Sequence, residues 1–205
     1  GKIKNHHAVA QQDLNDILLE HAAKGLTVCR VKGGDPFVYG RGGEELLTLR
    51  QAGIEAEVIP GITAASGCSS AANIPLTHRG VSQGCTLVTG HGESRLDINW
   101  QALAALKHTL VFYMGVTRAE LISHKLCDAG QDPRTPAAII ENGCRHNQRV
   151  VITTLGELAV AVSESAVQSP ALIMVGEVVN LAEQLQPCIS QAVNNHSMPA
   201  QSLSA

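Results

Sequence analysis

Aromatic residues are scarce in this chain of 205 residues, with one Trp, two Tyr and two Phe. A core must therefore be built from Val, Leu, Ile and Ala. The six cysteines at 29, 68, 85, 127, 144 and 188 contain no Cys-x-x-Cys pair. That spacing argues against a zinc site and a disulfide framework, and they read as reduced, mostly buried thiols. Apolar runs such as 109–116 are far shorter than the roughly 20 residues needed to cross a bilayer, so no membrane segment is expected. The formal net charge of −3 lacks the excess of Lys and Arg that phosphate backbones require, which argues against nucleic acid. Nine histidines are present, yet only His6 and His7 are adjacent, so no metal is expected. Composition instead fits a cytoplasmic enzyme, with 44% hydrophobic and only 16% charged residues.

The informative stretch runs Lys32-Gly-Gly-Asp-Pro-Phe-Val-Tyr-Gly-Arg-Gly-Gly-Glu-Glu45. It follows an apolar strand-like run at 26–31 and precedes a helix-like run at 44–52, the place where open α/β sheets bind ligands. Gly33 and Gly34 let backbone approach a ligand, Asp35 offers an acceptor to hydroxyls or an amine, and Pro36 ends the strand. The stretch lacks the Gly-Lys-Ser/Thr of a P-loop and the Gly-x-Gly-x-x-Gly of a dinucleotide site. A glycine-rich turn without a ligand is the competing reading.

Strands and helices alternate along the chain, which implies βα winding and a parallel sheet. Helices are expected at 12–24, with apolar Leu14, Ile17, Leu18 and Ala22 and Gly25 past its end, at 44–52 ending on Gly53, and at 63–72. Strands are expected at 26–31 and 55–59. The segment 73–83, with Pro75 and Gly80, reads as a linker. Beyond it come strands at 85–89 and 109–114, and helices at 99–106 and 118–129, the latter opened by a Thr117-Arg-Ala-Glu120 capping box. Strands 137–141 and 148–153 should pair antiparallel through Asn142-Gly143, and Thr154-Leu-Gly-Glu157 should cap another helix before a last strand at 171–175. The polar tail 187–205 reads as disordered.

Several blocks in register carry a resemblance: Gly33-Gly-Asp-Pro-Phe-Val-Tyr-Gly-Arg-Gly-Gly-Glu-Glu45, Val58-Ile-Pro-Gly-Ile-Thr-Ala-Ala-Ser-Gly67, Ile74-Pro-Leu-Thr-His-Arg79, Val88-Thr-Gly-His91, Thr109-Leu-Val-Phe-Tyr-Met-Gly115, Glu141-Asn-Gly143 and Ser169-Pro-Ala-Leu-Ile173. Together they resemble the uroporphyrinogen-III C-methyltransferases of the tetrapyrrole methylase family over roughly residues 1–185. The resemblance implies an α/β two-domain fold, with a parallel sheet in a first domain over 1–79 and a mixed sheet in a second over 80–186. It implies transfer of methyl groups from S-adenosyl-L-methionine to uroporphyrinogen III, giving precorrin-2 through precorrin-1 for sirohaem or cobalamin, and a homodimer. Cofactor contacts carry over to Gly33, Gly34, Asp35, Val38, Thr63, Ala64, Met114 and Gly143, and Lys2 takes the place of the family's proton donor. Each has a plainer alternative: Thr63 as a helix N-cap, Met114 as core, Gly143 as a turn glycine.

Lys2, Lys32, Arg41 and Arg79 are candidates to meet the substrate's carboxylates, and His78 and His91 are lesser candidates for acid–base work. The family's pattern also includes an earlier strand and a Gly-x-Gly-Pro-Gly-Asp loop whose aspartate is its proposed proton acceptor. A chain starting at Gly1 is therefore expected to be inactive or nearly so. A related methylase acting on another substrate, or a folded remnant without activity, are the other readings.

Overall fold

The computed structural model describes residues 9–90 and 98–186. Its centre is one five-stranded sheet in the order β1 (Cys85–Thr89), β2 (Thr109–Tyr113), β5 (Ala171–Val175), β3 (Pro136–Glu141) and β4 (Arg149–Thr154). Only β1 and β2 run parallel; β2 with β5, β5 with β3 and β3 with β4 are antiparallel. The expected mixed sheet is thus present. β2 is buried along its whole length, as a near-continuous apolar run in a strand covered on both faces should be.

Alternation along the strands sorts the core into two layers. On one face Val111, Tyr113, Ala138, Ile140, Leu172 and Met174 pack against α3 (Ala64–Ala72) and the turn Glu177–Leu181 that leads into α7 (Ala182–Leu185). On the other, Leu110, Phe112, Ala137, Ile139, Ile173 and Val175 pack against Ile122 and Leu126 of α5 (Ala119–Asp128) and Leu158 of α6 (Leu158–Glu164). Trp100, at the start of α4 (Trp100–Ala105), stacks on Phe112 with ring centroids 6.3 Å apart.

The first two helices, α1 (Gln11–Ala23) and α2 (Gly42–Gln51), meet through polar contacts rather than the expected apolar stripe. Asn15 and Leu18 are the buried positions of α1, while Ile17 is exposed. Asn15 Nδ2 donates to Thr48 Oγ1 at 3.3 Å, and Gln11 Nε2 donates to Glu45 Oε1 at 3.1 Å. Both helices end as expected, with Gly25 and Gly53 in the left-handed region at φ +76° and +73°.

Five expectations need correction. The runs 26–31 and 55–59 join no ladder among the described residues, and Leu26, Val31 and Ile59 are 55%, 77% and 70% exposed. Hydrophobic patterning allows a strand, but only a partner's hydrogen bonds make one. The Thr117 capping box does not form, because Val116–Arg118 is a 3₁₀ turn and α5 starts beyond it. Thr154 is likewise the last residue of β4, held in register with Pro136, and α6 begins after Glu157 without a side-chain cap. The segment 73–83, expected as a linker, is itself packed in part: Ile74 is fully buried and Leu76 packs on the same layer as α3. The cysteines are expected to be mostly buried, but among those described only Cys68 is; Cys85 and Cys127 are half-buried, and Cys29 and Cys144 are exposed. Cys188 and the tail 187–205 lie outside the described residues. No described helix is long and apolar enough to cross a membrane.

Candidate functional site

Three loops converge at one edge of α3, and a single hydroxyl joins two of them. Tyr113, the last residue of β2, places its oxygen 2.8 Å from the Ala65 amide, which donates to it, and 2.6 Å from Thr63 Oγ1. Ala65 lies in the first turn of α3, where amides have no intrahelical acceptor. Thr63 is the N-cap residue by position, but its side chain caps nothing. Its hydroxyl turns to Tyr113, which serves the helix start from another element.

The glycine stretch docks beside this point. A β-carbon added at Gly61 would overlap the Gly34 carbonyl oxygen, and Gly34, at φ +84°, faces the Ile62–Ala64 backbone. Asp35 locks the approach: its carboxylate accepts the Phe37 amide at 2.9 Å and the Gly61 amide at 3.2 Å. These amides, Gly61 first, hold the carboxyl below the ordinary aspartate range. Asp35 thus braces two loops as well as offering acceptor lone pairs. Gly42 and Gly40 let the stretch fold back, since a β-carbon at either would sit 2.6 Å from the Pro36 carbonyl oxygen. Tyr39 then lies over Tyr113, ring centroids 4.8 Å apart, and Val38 packs on the layer containing Tyr113 and Cys68.

From the sheet side come Met114 and Gly143. Met114 is 49% exposed at φ +54°, so it is presented at the strand end and is not core. Gly143 follows β3, and a β-carbon there would run into the Cys68 sulfur of α3. Gly90, at the end of β1, packs against Gly115 so closely that an added β-carbon would lie 2.6 Å from its Cα. Non-glycine residues with positive φ gather here: Tyr39, Arg41, Met114, Asn142 and Cys144. Such backbone persists where packing over-determines it, and it concentrates at ligand sites.

Of the sequence candidates, Gly33, Gly34, Asp35, Val38, Thr63, Ala64, Met114 and Gly143 all fall on these converging segments. Lys2 and His91 lie outside the described residues. Two expected substrate-facing cations are engaged elsewhere. Lys32 Nζ lies 2.8 Å from the buried Glu45 carboxylate, and Arg41 grips Glu44 at 2.6 Å. Arg79 is exposed on the 78–81 turn, and His78 closes that turn through its backbone, its amide donating to the Ser82 carbonyl at 2.9 Å. Sequence reasoning missed Tyr113, Tyr39 and Gly61. Tyr113 stood in a quoted block, but nothing local to it indicates a partner 50 residues earlier.

A cofactor bound here would meet mostly backbone and small groups. Space beside Gly33 is open, since a β-carbon there would touch nothing within 4 Å, and Ala64 is exposed at the helix start. Such a surface can meet a small polar ligand through backbone donors and acceptors, while the cations on it, Lys32 and Arg41, are held by Glu45 and Glu44. A separate cavity of about 450 Å³ along α3 is lined by Ser66, Ser70, Asn73, Pro75, Leu76 and Leu185 among others. Among the described residues no ionisable group lines it, so none of them there neutralises a polycarboxylate. Among the described residues, no group of three or more His, Cys, Asp or Glu could hold a metal ion.

Known proteins resemble the chain over most of its length. The family model for tetrapyrrole (corrin/porphyrin) methylases matches residues 1–159. A siroheme synthase 2 of Klebsiella pneumoniae is 53% identical over 185 residues, covering 90% of this chain and 40% of that protein. A siroheme synthase of Salmonella typhi is 53% identical over 188 residues, again 90% and 40%. The chain therefore spans well under half the length of these relatives. Among solved structures, the uroporphyrin-III C-methyl transferase of Thermus thermophilus, complexed with S-adenosyl homocysteine, is 39% identical with a TM-score of 0.72, covering 83% of this chain and 75% of that one. A cobalt precorrin-4 methyltransferase at 23% identity and TM-score 0.77 shares the fold.

Proposed function

The chain belongs to the tetrapyrrole methylase family, and on that premise we propose that it binds S-adenosyl-L-methionine and directs its methyl group to carbons of uroporphyrinogen III. The product is precorrin-2, formed through precorrin-1, for sirohaem or cobalamin. The observation that carries the reading is the convergence of 33–42, 61–65 and the β2 end around Tyr113, whose hydroxyl holds the start of α3 and whose ring meets Tyr39.

Bound there, S-adenosyl-L-methionine supplies an electrophilic methyl group on its sulfonium, so no nucleophilic side chain is required. The chain's own residues bind and orient. Gly33, Gly34 and Ala64 offer backbone at close range, Val38 and Met114 give apolar contact, Thr63 and Gly143 complete the wall, and Asp35 holds the glycine loop against Gly61. Fixing both reactants in line is the main catalytic contribution open to such a site. Arg79, which no described carboxylate engages, is the cation we assign to a substrate carboxylate. Lys2 is assigned, by the resemblance alone, to proton transfer at the tetrapyrrole.

The same reading divides the chain at 79/80, with α3 seating the first unit on the sheet of the second. It places the protein in the cytoplasm as a homodimer. Sedimentation checks the last point: a monomer at micromolar concentration contradicts it. The function itself is tested by supplying the natural reading frame that carries this chain with S-adenosyl-L-methionine and uroporphyrinogen III. Mass spectrometry should find one and then two added methyl groups. Unmethylated tetrapyrrole recovered beside a folded protein that binds S-adenosylhomocysteine refutes the substrate; absence of S-adenosylhomocysteine binding refutes the cofactor.

A further inference from the structure

Two thiols beside the site have no part in the proposed methyl transfer, yet the fold sets them against each other. Cys68 is buried on the inner side of α3, and Cys144 is exposed in the connection between β3 and β4. Each sulfur lies against the glycine next to the other cysteine. A β-carbon at Gly143 would collide with the Cys68 sulfur, and one at Gly67 would sit 3.1 Å from the Cys144 sulfur. The connection is also tied down on α3. The Cys144 amide donates to Gln148 Oε1 at 2.7 Å, and Gln148 Nε2 donates to the Ala71 carbonyl at 3.0 Å. Cys144 itself has φ +63°, a conformation that non-glycine residues rarely adopt.

We propose that Cys68 and Cys144 are a redox-sensitive pair, in which a peroxide converts the two thiols to a disulfide that clamps the 142–148 connection onto α3 and weakens cofactor binding. The exposed Cys144 is the point of entry. Its sulfur attacks the peroxide, the O–O bond breaks, and Cys144 becomes a sulfenic acid with release of one water. The Cys68 sulfur then attacks the sulfenic sulfur, the S–O bond breaks, and a second water leaves with the thiol proton. Two thiols and one peroxide thus give one disulfide and two waters, and an added thiol reverses the change. Burial, reinforced by Cys144, pushes the Cys68 thiol up, so it stays protonated and is not the first to attack the peroxide.

The coupling to the site is steric. A disulfide needs its sulfurs about 2 Å apart, while Gly143 already occupies the space against Cys68 so tightly that no β-carbon fits. Drawing the Cys144 sulfur in must displace Gly143, one of the assigned cofactor contacts. This last step rests on the reading given under Proposed function.

The experiment treats the reduced full chain with one equivalent of hydrogen peroxide, alkylates the remaining thiols and maps the peptides by mass spectrometry. S-adenosylhomocysteine affinity is measured in parallel by calorimetry. The expected result is a 68–144 linked peptide, a dissociation constant raised at least tenfold, and return of both to the starting state with dithiothreitol. Cys144→Ser should show neither change; because Cys144 is exposed, this variant should keep its circular dichroism spectrum. Linkage through Cys29 instead, or Cys144 oxidised without linkage, overturns the pair. Linkage with unchanged affinity overturns its coupling to the site. If the reduced chain binds no S-adenosylhomocysteine, the cofactor assignment falls, while the peptide map still decides the pair.

Discussion

Replacing Tyr113 by Phe removes one oxygen and keeps the ring, including its contact with Tyr39 at 4.8 Å. The Ala65 amide, in a residue only 1% exposed, loses its acceptor, and Thr63 loses its hydroxyl partner. A buried donor left unsatisfied costs about 1–3 kcal/mol. For a chain of this size each kcal/mol corresponds to roughly 2–4 °C in Tm, so a fall of roughly 2–12 °C is expected in thermal unfolding followed by circular dichroism. The start of α3 is also a wall of the proposed cofactor site, so S-adenosylhomocysteine affinity should drop by up to about tenfold if some 1.4 kcal/mol of that loss reaches binding. Thr63→Val, alone and combined with Tyr113→Phe, should reveal a coupling of about 0.5–1.5 kcal/mol. If Tyr113→Phe unfolds at the wild-type temperature and binds with wild-type affinity, the hydroxyl does not organise the helix start.

Gly61→Ala should separate the two loops, since its new β-carbon would overlap the Gly34 carbonyl; a loss of about 1–3 kcal/mol together with weaker S-adenosylhomocysteine binding is expected, and wild-type values in both denaturation and calorimetry would contradict it. Asp35→Ala frees the Phe37 and Gly61 amides and should weaken the same binding roughly tenfold or more, an unchanged titration removing Asp35 from the site. Glu45→Gln should lose about 1.5–3 kcal/mol, because its charged hydrogen bonds with Lys32 and Gln11 are nearly shielded from water. Burial pushes the Glu45 carboxyl up, but the bonds from Lys32 and Gln11 outweigh it and leave it below the ordinary glutamate range. Its stabilisation is therefore fully present above that range and disappears as pH falls through the lower folded value. Urea midpoints measured down the acid range should converge for wild type and Glu45→Gln; a constant gap would contradict the linkage.

The sheet was readable in the sequence because its strands are short apolar runs whose burial needs no knowledge of their neighbours' identity. Residues 109–113 and 171–175 emerge within a residue of their observed ends for this reason. Helix ends at Gly25 and Gly53 were equally plain, since a left-handed residue past a helix favours glycine. The capping boxes misled because a cap needs the right backbone angles. Thr154 is committed to the ladder opposite Pro136, and Thr117 to a 3₁₀ turn. The resemblance pointed to segments that the fold brings together, but the contacts that join them were invisible. Tyr113 reaches across 50 residues to Thr63, and Asp35 across 26 to Gly61. Lys32 and Arg41 looked available to a substrate only because nothing in a linear reading shows that Glu45 and Glu44 hold them.

The strand order carries a consequence for the time course of folding. β3 and β4 are neighbours in sequence and pair as a hairpin, Glu141 opposite Arg149. β2 must wait for β5, with Leu110 opposite Val175, and closing such long loops precedes any reward from their contacts. The links that complete the candidate site, Tyr113 to α3 and Gly143 to Cys68, each bridge regions distant in sequence. The hairpin should form early and the edge that carries the candidate site last. Pulse-labelled hydrogen exchange should then protect the amides of Ile139 and Val151 before that of Ala65, and simultaneous protection would show that the site condenses together with the sheet.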